Sequence, residues 1–210
     1  MEVIKYLKDH GIEKLSEELA IKVKNYPEGL LVLNYDQINS PKMHPVVSEC
    51  RGLILDHQFN VVSRSFDRFF NLGEQPDTQS HIDMSKAVIF DKVDGSLIKI
   101  YHWSNKWWIS TRGSAFAEGN CAFGDSFYQL SLKALKVDDK FFQEICDENL
   151  DVDWTYIFEL TCAENRVVKR YSGYALHYLS ARNNKTYEYG EEWHQKQALK
   201  IGGILIGQYR

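Results

Sequence analysis

The chain has 210 residues, 44% hydrophobic and 13% aromatic, and a formal net charge of -4 at pH 7. That length and apolar content can bury a core and form one globular domain, while the acidic balance excludes a fold that binds nucleic acid chiefly through a broad basic surface and leaves only local contacts. The four cysteines include no Cys-x-x-Cys pair, no basic segment leads into an apolar one at the start, and no apolar run approaches membrane-span length; this predicts a cytoplasmic protein with reduced thiols and no membrane partner.

Val3, Ile4 and Leu7, then Ile12, Leu15, Leu19 and Ile21, recur at helical spacing, with Gly11 as a stop between two short helices. Residues 1–29 are therefore read as a helical lead-in, and residues 1–210 as one domain. Leu30 to Tyr35 reads as a strand, and Asp36 to Glu49, with Pro41 and Pro45, as a loop. Gly52 to Asp56 and Val61 to Phe66 read as two strands about a turn at His57 to Asn60. Ala87 to Asp91, Ser96 to Trp103 and Lys106 to Thr111 read as a meander, so the sheet is antiparallel.

Asp125 to Lys136 and Asp138 to Asn149 carry helical apolar spacing, with an aspartate near each start, and should cover one sheet face. Trp154 to Cys162 and Tyr174 to Arg182 return to strand, Asn183-Asn184 marks a turn, and Glu191 to Ile201 closes as a helix. Ile201 to Ile206 looks like the approach to another strand. The fold class is thus α+β, an antiparallel sheet with flanking helices.

Within this frame Phe90 to Tyr101 reads FDKVDGSLIKIY, which holds Lys92 at a tight strand-to-strand turn. Lys-x-Asp-Gly at a turn is the pattern of enzymes whose lysine attacks the α-phosphate of a nucleoside triphosphate and carries the nucleotide as a phosphoramidate. Such a lysine must be neutral when it attacks, so its site must depress its pKa by desolvation or nearby positive charge. Gly95 would allow a positive φ and a close approach to phosphate, and Asp94 would accept a hydrogen bond or orient a metal-bound water. An Asp-Gly hairpin with a solvated lysine beside it would read the same way.

Other blocks accompany the lysine in a fixed order. They are Glu49-Cys50-Arg51-Gly52 with Leu53 to Asp56, Ser63 to Leu72 containing Phe69-Phe70-Asn71-Leu72, Ser110-Thr111-Arg112-Gly113-Ser114, Tyr156 to Leu160, and Glu164-Asn165-Arg166-Val167-Val168. From about Tyr35 to Tyr189 the chain resembles the ATP-dependent RNA ligases of the phage tRNA-repair type, within the covalent nucleotidyltransferase superfamily.

The resemblance implies that Lys92 is the adenylated nucleophile, that Arg51 contacts the nucleotide, that Tyr35 lies at the ATP site and that Glu159 lines the nucleotide pocket. Asp94 and Gly95 complete the lysine's motif. Arg68 and Arg112 stand where the phage ligases usually carry lysines, which keeps the charge and changes the geometry. The implied cofactors are ATP and Mg²⁺, and the implied partners are RNA ends, of tRNA or another structured RNA. The loop before Arg51 would rim the pocket or be a surface excursion.

The family's later Glu-Gly and Lys-x-Lys blocks have no counterpart before Arg210. The chain accordingly reads as the N-terminal part of a ligase, with a second polypeptide as one source of the absent blocks. Because cations that stabilise the departing pyrophosphate contribute much of the rate, the chain alone is expected to self-adenylate weakly or not at all. A DNA ligase, a capping-type nucleotidyltransferase and a non-catalytic piece that binds a nucleotide or an RNA end are the rival readings.

The remaining candidates have plainer readings. Trp103, Trp107 and Trp108 could stack on bases, but adjacent Trp107 and Trp108 face opposite sides of a strand, and the core needs at least one of the three. The seven histidines show no metal-ligand spacing, and Ser96, with no nucleophile elbow, should cap the turn.

Overall fold

The computed structural model describes residues 1–74, 83, 85–121, 124–165 and 169–209. Arg166, Val167 and Val168 of the last block, and His81, lie outside the described residues.

Helix α1 spans Glu2–Leu19 and is broken at Gly11 (φ 81°, ψ 176°), as the spacing predicted. The helical segment ends at Leu19, however, short of the expected residue 29. Residues Ile21–Tyr26 form strand β1, antiparallel to β2 at Leu30–Tyr35, because Ile21 and Tyr26 are buried where they pair with β2. Inside the expected loop, Pro45–Glu49 form a short helix α2 with Pro45 at the first turn, where its missing N–H costs nothing.

Strands β3 (Arg51–Asp56) and β4 (Val61–Ser63) complete a four-stranded sheet in the order β1-β2-β3-β4. The second of these is shorter than its sequence suggests. Arg64 and Arg182, both buried, converge on Asp67 at 2.8 and 3.0 Å, and Arg182 also donates to the Ser65 carbonyl at 2.7 Å, which draws the chain out of the sheet.

Short β5 (Ile89–Phe90) precedes the long antiparallel pair β6 (Ser96–Trp103) and β7 (Lys106–Thr111). Helices α3 (Phe127–Leu135) and α4 (Asp139–Asn149) follow. A Ser126–Gln129 capping box starts α3 and the Asp138 carboxylate caps α4, while Asp125 instead pairs with Lys133. Strands β8 (Trp154–Thr161) and β9 (Ala175–Asn183), helix α5 (Glu192–Lys200), and the two-residue strands β10 (Ile204–Leu205) and β11 (Gln208–Tyr209) end the chain. The second sheet runs β10-β9-β8-β6-β7, and it is antiparallel except for β10 on β9.

Alternation along the strands stacks these elements in layers. Leu31, Leu33 and Tyr35 of β2 face α1 and α2, whereas Leu30 and Val32 face the second sheet with Ile54, Val62 and Tyr101. Ile98 and Ile100 of β6 face α3 and α4, whose Leu130 and Phe142 bury against them. The two sheets thus face each other between helical layers, and Lys99 and Tyr101 of β6 lie on the inner side.

One expected pairing is absent. Strand β5 does not join the β6–β7 meander but pairs with β11, Phe90 opposite Gln208 and Ile89 opposite Tyr209. Residues 91–95 are therefore a crossing segment between two sheets, not a hairpin turn.

Candidate nucleotide site

Strand β3 and that crossing segment build one cavity of about 640 Å³. Its apolar wall comes from Phe66 and Phe69 after β4, Leu97 of β6 and Leu179 of β9, with Phe90 and Ile206 closing one side. Its polar groups are Arg51, Lys92, Asp94 and Glu159, with Asp91 and Asn71. An apolar slot with a few convergent charges suits a ligand that has a flat base at one end and phosphates at the other.

Glycine is required at two positions of this wall. A Cβ on Gly95 would stand 2.1 Å from the Leu160 carbonyl oxygen, so β8 approaches the motif too closely for any side chain. The φ of Gly95 is not positive, so close packing, not turn geometry, fixes this residue. Its N–H donates to Glu159 Oε1 at 3.0 Å. Gly52 does have a positive φ of 69°, and its Cβ would stand 2.7 Å from the Arg112 carbonyl oxygen. It is the extra residue of a β-bulge, since Leu33 pairs with Leu53 and Asn34 with Arg51.

Lys92 is not in the expected electrostatic state. Its side chain is 88% exposed and Nζ lies 2.6 Å from Asp94 Oδ1. The hydrogen bond and charge of Asp94 raise its pKa, and desolvation opposes them only weakly. The motif's own aspartate therefore keeps the lysine protonated, opposite to the depression that attack demands. Glu159 is shifted upward by burial, which the Gly95 N–H partly offsets.

Tyr35, Arg68 and Arg112 do not line the cavity. They stack behind Arg51: the guanidiniums of Arg68 and Arg112 lie 4.3 and 4.4 Å from the Tyr35 ring centroid, and Arg112 Nε donates to Asn34 Oδ1 at 2.9 Å. Arg51 itself lies over Phe69 at 4.6 Å. Burial lowers the pKa of Arg51, and the charge of Arg112 adds to that effect. Among the described residues, none of these three arginines has a carboxylate within 4.0 Å, and Nη1 of Arg51 and of Arg68 is buried without a partner. Buried donors left unpaired around concentrated positive charge fit an anion.

The other sequence candidates fall elsewhere. The Ser96 hydroxyl does not cap a turn but donates to Asn165 Oδ1 at 3.0 Å, tying the start of β6 to the fifth block. Trp107 is fully buried and donates to Asp147 at 2.7 Å, and none of the three tryptophans lines the cavity. The loop before Arg51 contributes nothing to the cavity wall. Sequence reasoning missed Lys99, fully buried on β6, although a lysine inside the apolar run Leu97 to Tyr101 is itself a signal.

A family model described as RNA ligase matches residues 49–201. The chain belongs to the RNA ligase family. It is 44% identical over 202 residues to a protein of Autographa californica nuclear polyhedrosis virus named as a bifunctional polynucleotide kinase/RNA ligase, which covers 90% of this chain and 29% of that one. It is 28% identical over 170 residues to a protein of Thermovibrio ammonificans named as an RNA ligase, covering 79% of this chain and 42% of the other. The chain therefore spans less than half the length of these relatives. An archaeal ATP-dependent RNA ligase shares the α+β fold, with a TM-score of 0.58 at 16% identity over 100% of this chain and 54% of that one.

Proposed function

We propose that this RNA ligase family chain is an adenylyltransferase domain in which Lys92 attacks the α-phosphate of ATP. The observation that carries the reading is the convergence of Lys92, Arg51 and Glu159 on one cavity that Phe66, Phe69, Leu97 and Leu179 also line. The base would lie in the slot of Phe66, Leu97 and Leu179, the ribose near Glu159, and the phosphates toward Arg51 and the stacked Arg68, Tyr35 and Arg112.

Attack requires Lys92 to give its proton to solvent, to which its side chain is open, and leave Asp94. The Nζ lone pair then forms the N–P bond as the bond from the α-phosphorus to the bridging oxygen breaks, and pyrophosphate departs with that electron pair. Asp94 and Glu159 are two carboxylates of the cavity lining. That suits Mg²⁺, which prefers one or two carboxylates plus phosphate oxygens and, when bound, would neutralise phosphate charge. The AMP then passes to an RNA 5′-phosphate, and a 3′-hydroxyl displaces it to seal the ends. A segment in cis, or a second polypeptide, would supply the cations that complete the triphosphate site.

The proposed substrate is RNA ends, of tRNA or another structured RNA, and the proposed compartment is a cytoplasm, where Cys50, Cys121, Cys146 and Cys162 would stay thiols. Among the described residues no helix is long and apolar enough to cross a membrane. The test is label transfer. ATP, and not GTP, should label the protein, and a chase with 5′-phosphorylated nicked RNA should remove the label faster than nicked DNA. Preference for GTP would make it a capping-type enzyme, and preference for DNA a DNA ligase.

A further inference from the structure

Lys99 is fully buried between the two sheets, and its Nζ donates to the carbonyl of Gly52. Nothing else pairs with it: no carboxylate lies within 4.0 Å among the described residues, and the residues opposite it are Ile157 on β8 and Ser110 on β7. The Ser110 hydroxyl is itself buried without a partner. An uncompensated lysine in such a place is costly, and a methionine would fill the same volume without that cost.

What the lysine holds is specific. Gly52 is the residue of the β3 bulge with no Cα partner on β2, its carbonyl accepts from Lys99, and a bulge re-aims the side chain beside it. That side chain is Arg51, which enters the cavity. On the inner face of β6 the same strand presents Leu97 to the cavity, Lys99 to Gly52 and Tyr101 to the Ala115 carbonyl at 2.8 Å. The strand that follows the nucleophile thus also anchors the strand that carries the arginine.

We propose that Lys99 is a positioning residue for Arg51: by holding the Gly52 carbonyl it fixes the bulge that aims the guanidinium at the nucleotide phosphates. The role deepens the adenylyltransferase reading and rests on it, since Lys99 touches no ligand and acts only through Arg51.

Two measurements on the full chain test it. Hydrogen–deuterium exchange of Lys99→Met should show the amides of residues 51–53 exchanging about tenfold faster, with β8 unchanged, as expected when one charge-assisted hydrogen bond is lost. Calorimetry should show ATP binding about tenfold weaker in Lys99→Met and no further weakening when Lys99→Met is added to Arg51→Ala. Lys99→Gln, whose shorter amide falls short of the carbonyl, should follow the same pattern and serves if the methionine variant does not fold. Unchanged exchange at residues 51–53, or equal weakening in both backgrounds, overturns the proposal. If exchange rises but the wild-type chain binds no ATP, the positioning role stands and the ATP reading fails.

Discussion

Lys92 Nζ and Asp94 Oδ1 lie 2.6 Å apart, so on the proposed mechanism the aspartate must release the lysine before it can attack. Because Asp94 raises the Lys92 pKa, the neutral amine is scarce at neutral pH and grows about tenfold per pH unit below that pKa. Self-labelling should therefore climb with pH, and Asp94→Asn should move the curve to lower pH by removing the anion that favours the ammonium. The full pH profile of both proteins is the measurement, and a curve that does not move would show that the ion pair does not set the reactive state.

Arg51→Ala should weaken ATP binding by about ten- to a hundredfold, the worth of one or two charge-assisted hydrogen bonds, without unfolding the chain. Arg112→Lys keeps the charge but loses the stack on Tyr35 and the bond to Asn34, so it should weaken binding by less. Calorimetry on the three proteins ranks them, and equal affinities would remove the arginine cluster from the phosphate site.

Gly95→Ala should destabilise the fold by about 1–3 kcal/mol or more, because the new methyl would meet the Leu160 carbonyl at 2.1 Å. Urea unfolding measures this. A neutral substitution would mean that β6 and β8 can separate at the motif without cost.

These positions also show what the sequence made legible. Lys92, Asp94 and Gly95 were readable from the chemistry of one short turn motif, Arg51 and Glu159 only from the resemblance to a family, and all of them meet at the cavity. The long strands and α3 to α5 were readable from periodicity. The pairing of β5 with β11 was not, since two-residue strands carry no period and their partner lies at the far end of the chain. Nor was α2, a helix of one turn inside a proline-containing loop. Tyr35, Arg68 and Arg112 were named as site residues, but their stacking outside the cavity joins segments far apart in sequence, which no local spacing reveals.

Lys99 links stability to pH. Burial lowers its pKa from 10.5 to about 7 in the folded chain, so between pH 7 and 10.5 the unfolded chain binds more protons and stability rises with pH. Below about pH 7 both states are charged and the cost of burying the ammonium is fully present. Relative to Lys99→Met, the wild-type chain should gain stability on going from pH 7 to 10, with a slope of at most ~1.4 kcal/mol per unit. Denaturant titrations of both proteins at several pH values read this slope, and parallel curves would show that Lys99 is not buried as an amine.

The central claim is that Lys92 carries the nucleotide. Incubation with α-³²P-labelled ATP and Mg²⁺ should give a slow, acid-labile label on the wild-type chain and none on Lys92→Ala, with ATP still bound by the variant. Label that persists on Lys92→Ala would contradict the account and place the nucleophile elsewhere.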